Sequence, residues 1–311
     1  MRKHQPPYAL ILLGNGFDIA HDFKTSYANF MDHLLESIRK NNLEYRNAQY
    51  SRYRARKGEN GQADPYLAGL FSGLPEGAKL VVKPETESVF FKYLFYRFDK
   101  TKTWGDFEES YFNRLDNYKG RDKKAVDLKE ITLINKEFEH FKKLLKAYLI
   151  EQENKNNEEV NKEILEKKGI SELLSQKINE HEYVEIISFN YTSKIVKLMR
   201  EEMVFKMSPF QKAGKSIPAN ERIKISHIHE ELNSEDNPII FGYGNDRSEK
   251  FKELLQYEND ELMKYMKTFL YKQNTVNDHI NYCLGKGETK IIVLGHSLSD
   301  SDSTLLNKNF T

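Results

Sequence analysis

Five short apolar runs, widely spaced, narrow the folds open to this chain. They are Tyr8–Leu13, Tyr183–Phe189, Arg222–Ile228, Pro238–Phe241 and Lys290–Leu294. Each is strand-length and rich in Ile, Val, Leu or Phe, as strands buried on both faces are. Most are separated by enough chain for a crossover, which favours a parallel sheet. Each also stops in small or polar residues. The first breaks into Gly14-Asn15-Gly16-Phe17-Asp18, the second into Ser188-Phe189-Asn190-Tyr191-Thr192 and the third into His227-Ile228-His229. The fourth leads to Gly242-Tyr243-Gly244, and the last to Gly295-His296-Ser297-Leu298 followed by Asp300 and Asp302. Ligands of open parallel sheets bind beyond the carboxyl ends of the strands, so these five ends are candidates for one cleft. A buried strand, a glycine turn and a helix start also suit a phosphate group, although G-x-G alone serves equally well as a tight turn.

Helical periodicity fills much of the remainder. Phe30, Met31, Leu34, Leu35 and Ile38 form one apolar stripe on a helix starting near Ser26. Further helices are predicted over Glu85–Phe98, Asp106–Leu115, Lys123–Glu153, Tyr257–Asn274 and Val276–Leu284. Arg39–Pro84 is polar and punctuated by glycine and proline, and reads as a long loop or lid. The expected organisation is therefore an α/β, Rossmann-like parallel sheet domain from residues 1–38 and 183–311. A mostly helical insertion of residues 39–182 interrupts it.

Composition excludes several classes. The 311 residues carry 48 basic and 47 acidic side chains, a net charge of +1, so no basic stripe announces nucleic acid. Aromatics at 12% supply a core despite 31% charged residues. One cysteine, Cys283, forbids an intrachain disulfide or a four-cysteine zinc site. The apolar runs are too short to span a membrane, and the start of the chain lacks a secretory h-region. A soluble cytoplasmic protein is expected.

Taken in order, Gly14-Asn15-Gly16-Phe17-Asp18-Ile19-Ala20-His21, Thr25-Ser26-Tyr27, Trp104-Gly105-Asp106-Phe107-Glu108, Ser188-Phe189-Asn190-Tyr191-Thr192 and Gly295-His296-Ser297-Leu298 are motifs of a known kind. The chain resembles the AbiH family of bacterial phage abortive-infection proteins and, more distantly, sirtuin-like NAD-binding domains. The sirtuin-like comparison implies that Gly14, Asn15, Gly16, Phe17 and Asp18 form a first nucleotide loop. Gly295, His296 and Ser297 would then form the adenosine-side loop, with Asn190 on the ribose side and His229 as the catalytic histidine. Two departures stand out. Glu230 and Glu231 follow that histidine where the sirtuin-like family has glycine, and the cysteines of the deacetylase zinc ribbon are missing.

The resemblance implies an NAD glycohydrolase, acting in antiphage abortive infection with no metal. Cleavage of the nicotinamide–ribose bond builds positive charge on the ribose carbon. An oriented amide at Asn190 would hold ribose hydroxyls or a water, and His229 would take a proton from the attacking water. The alternative is a non-catalytic NAD or nucleotide-binding sensor. A phage-derived trigger and a homo-oligomer are expected, and neither nucleic acid nor membrane is expected as a partner. Each site residue also has a plainer reading. Asn190 could cap a helix beginning near Thr192. His227 lies on the same side of a strand as His229, so either could be the functional histidine. Asp300 and Asp302 could cap the terminal helix, and Glu108 could be an ordinary exposed carboxylate.

Overall fold

The computed structural model describes residues 7–42, 103–116, 128–155, 158–232, 239–271, 276–285, 287–298 and 302–310. The chain divides into two compact units, Met1–Thr25 with Lys142–Thr311, and Ser26–Phe141. The expected helix Glu85–Phe98, nearly all of Arg39–Pro84, and Asp300 lie outside the described residues.

Four of the five apolar runs build the sheet of the first unit. They are β1 (Tyr8–Leu13), β2 (Tyr183–Ser188), β5 (Ile223–His227) and β6 (Thr289–Leu294). All pairings are parallel and the order is β5-β2-β1-β6. Counted along the chain, the sheet strands thus stand third, second, first, fourth. Leu13 pairs with Ser188 on one side and Leu294 on the other, and Ser188 pairs with His227, so all four carboxyl ends reach one edge in step.

Alternation along β1 explains why it is apolar throughout. Ala9, Ile11 and Leu13 enter one core with Ile186, Ile195, Met199 and Leu174. Leu10 and Leu12 enter a second with Ile187, Ile280 and Leu305. Helices therefore cover both faces. Glu158–Lys168 (here α5), Ile170–Ile178 (α6) and Lys194–Lys206 (α7) lie on the first. Val276–Gly285 (α12) and Ser303–Phe310 (α13) lie on the second. The helical residues from 142 to 178 belong to the same unit as the sheet.

The run Pro238–Phe241 is a correction. Ile239–Phe241 is apolar and buried but is not a strand. A short continuous apolar run does not distinguish a strand from a buried connection. Here Ile240 instead donates its N–H to the His229 carbonyl (3.0 Å), and Tyr243 forms an isolated parallel bridge with Met266. That bridge also breaks the helix expected over Tyr257–Asn274. Tyr243 donates its N–H to the Tyr265 carbonyl and its own carbonyl accepts from Lys267, leaving two short helices, α10 (Asp260–Met263) and α11 (Lys267–Leu270). A hairpin of β3 (Phe210–Lys212) and β4 (Lys215–Ile217), unforeseen from sequence, turns at Ala213 and Gly214, both at positive φ.

The second unit is an aromatic-cored helical body. It contains α2 (Tyr27–Asn42), α3 (Trp104–Asp116) and the first half of α4 (Leu128–Lys155). Phe107 stacks on Phe141 at 4.1 Å, Tyr27 meets Trp104 edge-on at 5.3 Å, and the Tyr111 hydroxyl donates to Asn135 (2.6 Å). Thr103 and Asp106 cap α3 reciprocally. Glu108 is buried rather than exposed. The Trp104–Glu108 motif is thus part of the framework of this body. No described helix is long and apolar enough to cross a membrane.

Candidate functional site

Two loops interlock at the centre of the sheet edge. Gly14 donates to the Leu294 carbonyl (3.0 Å), Gly16 to the Gly295 carbonyl (2.8 Å) and Phe17 back to Gly14 (2.8 Å). A Cβ on Gly14 would strike the backbone of His296, and one on Gly295, at φ +65°, would strike Phe17 and Gly16. The glycines let two backbones touch, and three of the loop N–H groups expected to face a phosphate are committed to carbonyls. Gly16 and Gly295 nevertheless remain exposed, and Ser297 is exposed beyond them.

From this loop the short helix α1 (Asn15–Ala20) carries Asp18 inward, where it is 1% exposed. Asn190, 6% exposed, donates its Nδ2 to Asp18 Oδ1 (2.7 Å), and the Thr192 hydroxyl donates to Asp18 Oδ2. Burial pushes Asp18 up to about 7, against the lowering effect of those two hydrogen bonds. Asn190 is not a helix cap. Helix α7 starts at Lys194, and its first N–H groups, of Ser193 and Lys194, are taken by Glu153 Oε1 (2.5 and 2.9 Å). The Asn190 backbone is held through the Ser188 hydroxyl, and its side-chain Oδ1 is buried with no hydrogen-bond partner among the described residues. Such an orphaned acceptor typically costs about 1–3 kcal/mol.

His229 sits beside this, 5% exposed, one strand over. Its Nδ1 is 3.0 Å from the Phe189 carbonyl, which can only accept, so Nδ1 carries the proton. Nε2 then accepts from the Tyr271 hydroxyl at 2.8 Å. Tyr191 stacks near the ring with centroids 5.6 Å apart, and the Tyr271 ring lies nearly parallel to it. Asp302 Oδ1 lies 3.3 Å from Nε2 and 2.8 Å from the buried Lys267 ammonium, and Oδ2 lies 3.6 Å from His296 Nε2. Burial, helped by Lys267, holds His229 below the usual histidine range, so it is neutral near pH 7. Burial alone would raise Asp302, but the Lys267 ammonium outweighs it and keeps the carboxyl well below the usual range. Asp302 precedes α13, yet its carboxylate turns to these side chains. His227 Nδ1 faces the Asn190 carbonyl at 3.4 Å and Nε2 is 3.7 Å from Glu231. Among the described residues no group of three or more His, Cys, Asp or Glu is placed to hold a metal.

The model of the family described as bacteriophage abortive infection AbiH matches residues 10–310, nearly the whole chain. The chain belongs to the AbiH family. That places it among proteins of bacterial defence against phage. No curated protein matches it in sequence. In this AbiH protein the family's first motif is a loop clasp plus a buried acid, and the Ser188–Thr192 motif is that acid's partner. Asn190, Asp18 and the Gly14, Gly16 and Gly295 backbones meet as the strand-end pattern suggested, with His229 and His296 around Phe189. Lys267 and Tyr271 were missed, because they lie in the segment read as a continuous helix and no spacing ties them to His229.

Proposed function

We propose that the chain hydrolyses NAD to nicotinamide and ADP-ribose in abortive infection. The observation that carries this reading is the placement of Asn190 and His229 beyond the ends of two paired parallel strands, beside the glycine clasp. The third-second-first-fourth strand order is that of a Rossmann, dinucleotide-binding sheet around its switch point, which lies at β1 and β6. The sirtuin-like comparison gains support from Glu230. It adopts φ +64°, the left-handed conformation natural to the glycine it replaces.

In this reading the pyrophosphate lies over the exposed Gly16 and Gly295. Nicotinamide leaves with the bonding electron pair and becomes neutral. Water attacks the cationic ribose carbon, its proton passes to the Tyr271 hydroxyl oxygen as that hydroxyl gives its own proton to His229 Nε2, and the imidazole becomes imidazolium. Asn190 holds a ribose hydroxyl. Purified protein, supplied with a phage trigger where needed, should release nicotinamide from NAD in the presence of a chelator. Asn190→Ala and His229→Ala should each remove most turnover without losing the fold, with His229→Ala costing about 10²–10⁴-fold as the loss of a general base does. Full cleavage by both variants, each melting like wild type, would remove the site from consideration.

A second reading, an NAD or nucleotide sensor, is favoured by one feature. Both His229 nitrogens already have protein partners, which suits a rigid binding wall. NAD bound tightly and never cleaved under any trigger would select it.

A further inference from the structure

We infer that Asp18 is a positioning residue: with Thr192 it clamps the Asn190 amide so that its oxygen, not its nitrogen, receives the hydroxyl group of a bound ribose. This rests on the nucleotide reading above and deepens it by naming what fixes the polarity of the site.

An asparagine amide presents two donors on one end and an acceptor on the other, and rotation by half a turn exchanges them. Asp18 decides between the two. Its Oδ2 is occupied by the Thr192 hydroxyl, and its Oδ1, 2.7 Å from the Asn190 nitrogen, is an acceptor. With a proton on Oδ2 shared with Thr192, Oδ1 still accepts, so the clamp works in either charge state of the acid. One N–H of the Asn190 amide is thereby fixed on Asp18, which sets the orientation of the amide, and the oxygen is left over, buried and unpartnered among the described residues. A ligand that satisfies it must bring a donor. A ribose hydroxyl does so, and a phosphate or carboxylate oxygen does not. The Asn190 backbone is pinned by Ser188, so the side chain cannot escape the arrangement by moving the loop.

Asp18→Asn tests this with almost no change in shape. The new amide can donate to the Asn190 oxygen, which would flip the Asn190 side chain and fill the orphaned acceptor from within. The measurement is calorimetric binding of NAD and of NAD lacking the 2′-hydroxyl on the nicotinamide-side ribose, at neutral pH, to the full chain. Wild type should prefer NAD about tenfold, the scale of one lost hydrogen bond in a closed site. Asp18→Asn should bring that ratio close to one while binding of ADP, which lacks this ribose, changes by less than about threefold. Thr192→Val, which frees one side of the clamp, should narrow the ratio in the same direction and serves if Asp18→Asn does not fold. A merely structural role for Asp18 would lower the melting temperature and leave the ratio intact. A ratio unchanged in folded Asp18→Asn, or already near one in wild type, overturns the inference alone. Failure of wild type to bind NAD or ADP at all overturns the nucleotide reading and this inference with it.

Discussion

Lys267 and Asp302 put two opposite charges inside the protein, 2.8 Å apart, with Tyr271 and His229 against the same carboxylate oxygen. A buried pair of this kind is weak evidence for net stability, but removing one member leaves a stranded charge. Lys267→Met should therefore cost about 3–5 kcal/mol in urea unfolding, and Lys267→Met combined with Asp302→Leu should recover more than half of that loss. Additive losses in the double variant would mean that the two charges do not act as a pair. Sequence made one half of this network visible. His229 stood at the end of an apolar run, where strand-end logic looks. Lys267 and Tyr271 carried no such signal, because their relation to His229 is made by a tertiary bridge at Tyr243 and Met266. Asp18 was legible as a member of the glycine motif, but its role depends on Asn190, 172 residues away, and only the fold supplies that neighbour.

At the scale of elements, Arg222 does what neighbouring apolar packing cannot. It lies buried just before β5 and donates to the carbonyls of Asn179 (3.0 Å), His181 (2.5 Å) and Ser208 (2.7 Å). These are the exit of α6, the entry to β2 and the approach to the β3–β4 hairpin. Their carbonyls would otherwise face inward unsatisfied. A lysine has the charge without the planar fork, so Arg222→Lys should cost about 2–4 kcal/mol by thermal or urea unfolding. A loss below about 0.5 kcal/mol would show that water serves these carbonyls equally well. Strands and long helices were legible from their periodicity. The hairpin was not, since its strands span three residues each and four of those six side chains are exposed. Helix α7 likewise starts on a borrowed cap, Glu153, which no local pattern around residues 190–194 could announce.

Across the whole molecule, buried ionisable groups set two opposing pH dependences. Burial lowers His21, His181, His227 and His229. Below about 6.5 the unfolded chain takes up protons that these four refuse, so stability falls as pH drops through that region. Asp18 acts in the other direction. Its folded value is raised to about 7, so between about 4 and 7 the folded state holds a proton that the unfolded state has released. Its contribution declines as pH rises across that window and is flat above it. The stability of Asp18→Asn relative to wild type should accordingly rise by about 4 kcal/mol from pH 4 to pH 7, read from urea midpoints, and then level off. A difference independent of pH would mean that Asp18 is ionised throughout. The sheet itself was legible at this scale because β1 and β2 are buried almost throughout and β6, although Ile291 and Val293 are exposed, still strings Ile291, Ile292, Val293 and Leu294 together. The clasp of Gly14 and Gly16 with Gly295 joins the first strand made to the last of the sheet. During translation β1 leaves the ribosome well before residues 294 and 295, whose carbonyls its loop bonds in the folded chain. A chain that ends before β6 therefore lacks the carbonyls of Leu294 and Gly295 on which Gly14 and Gly16 close.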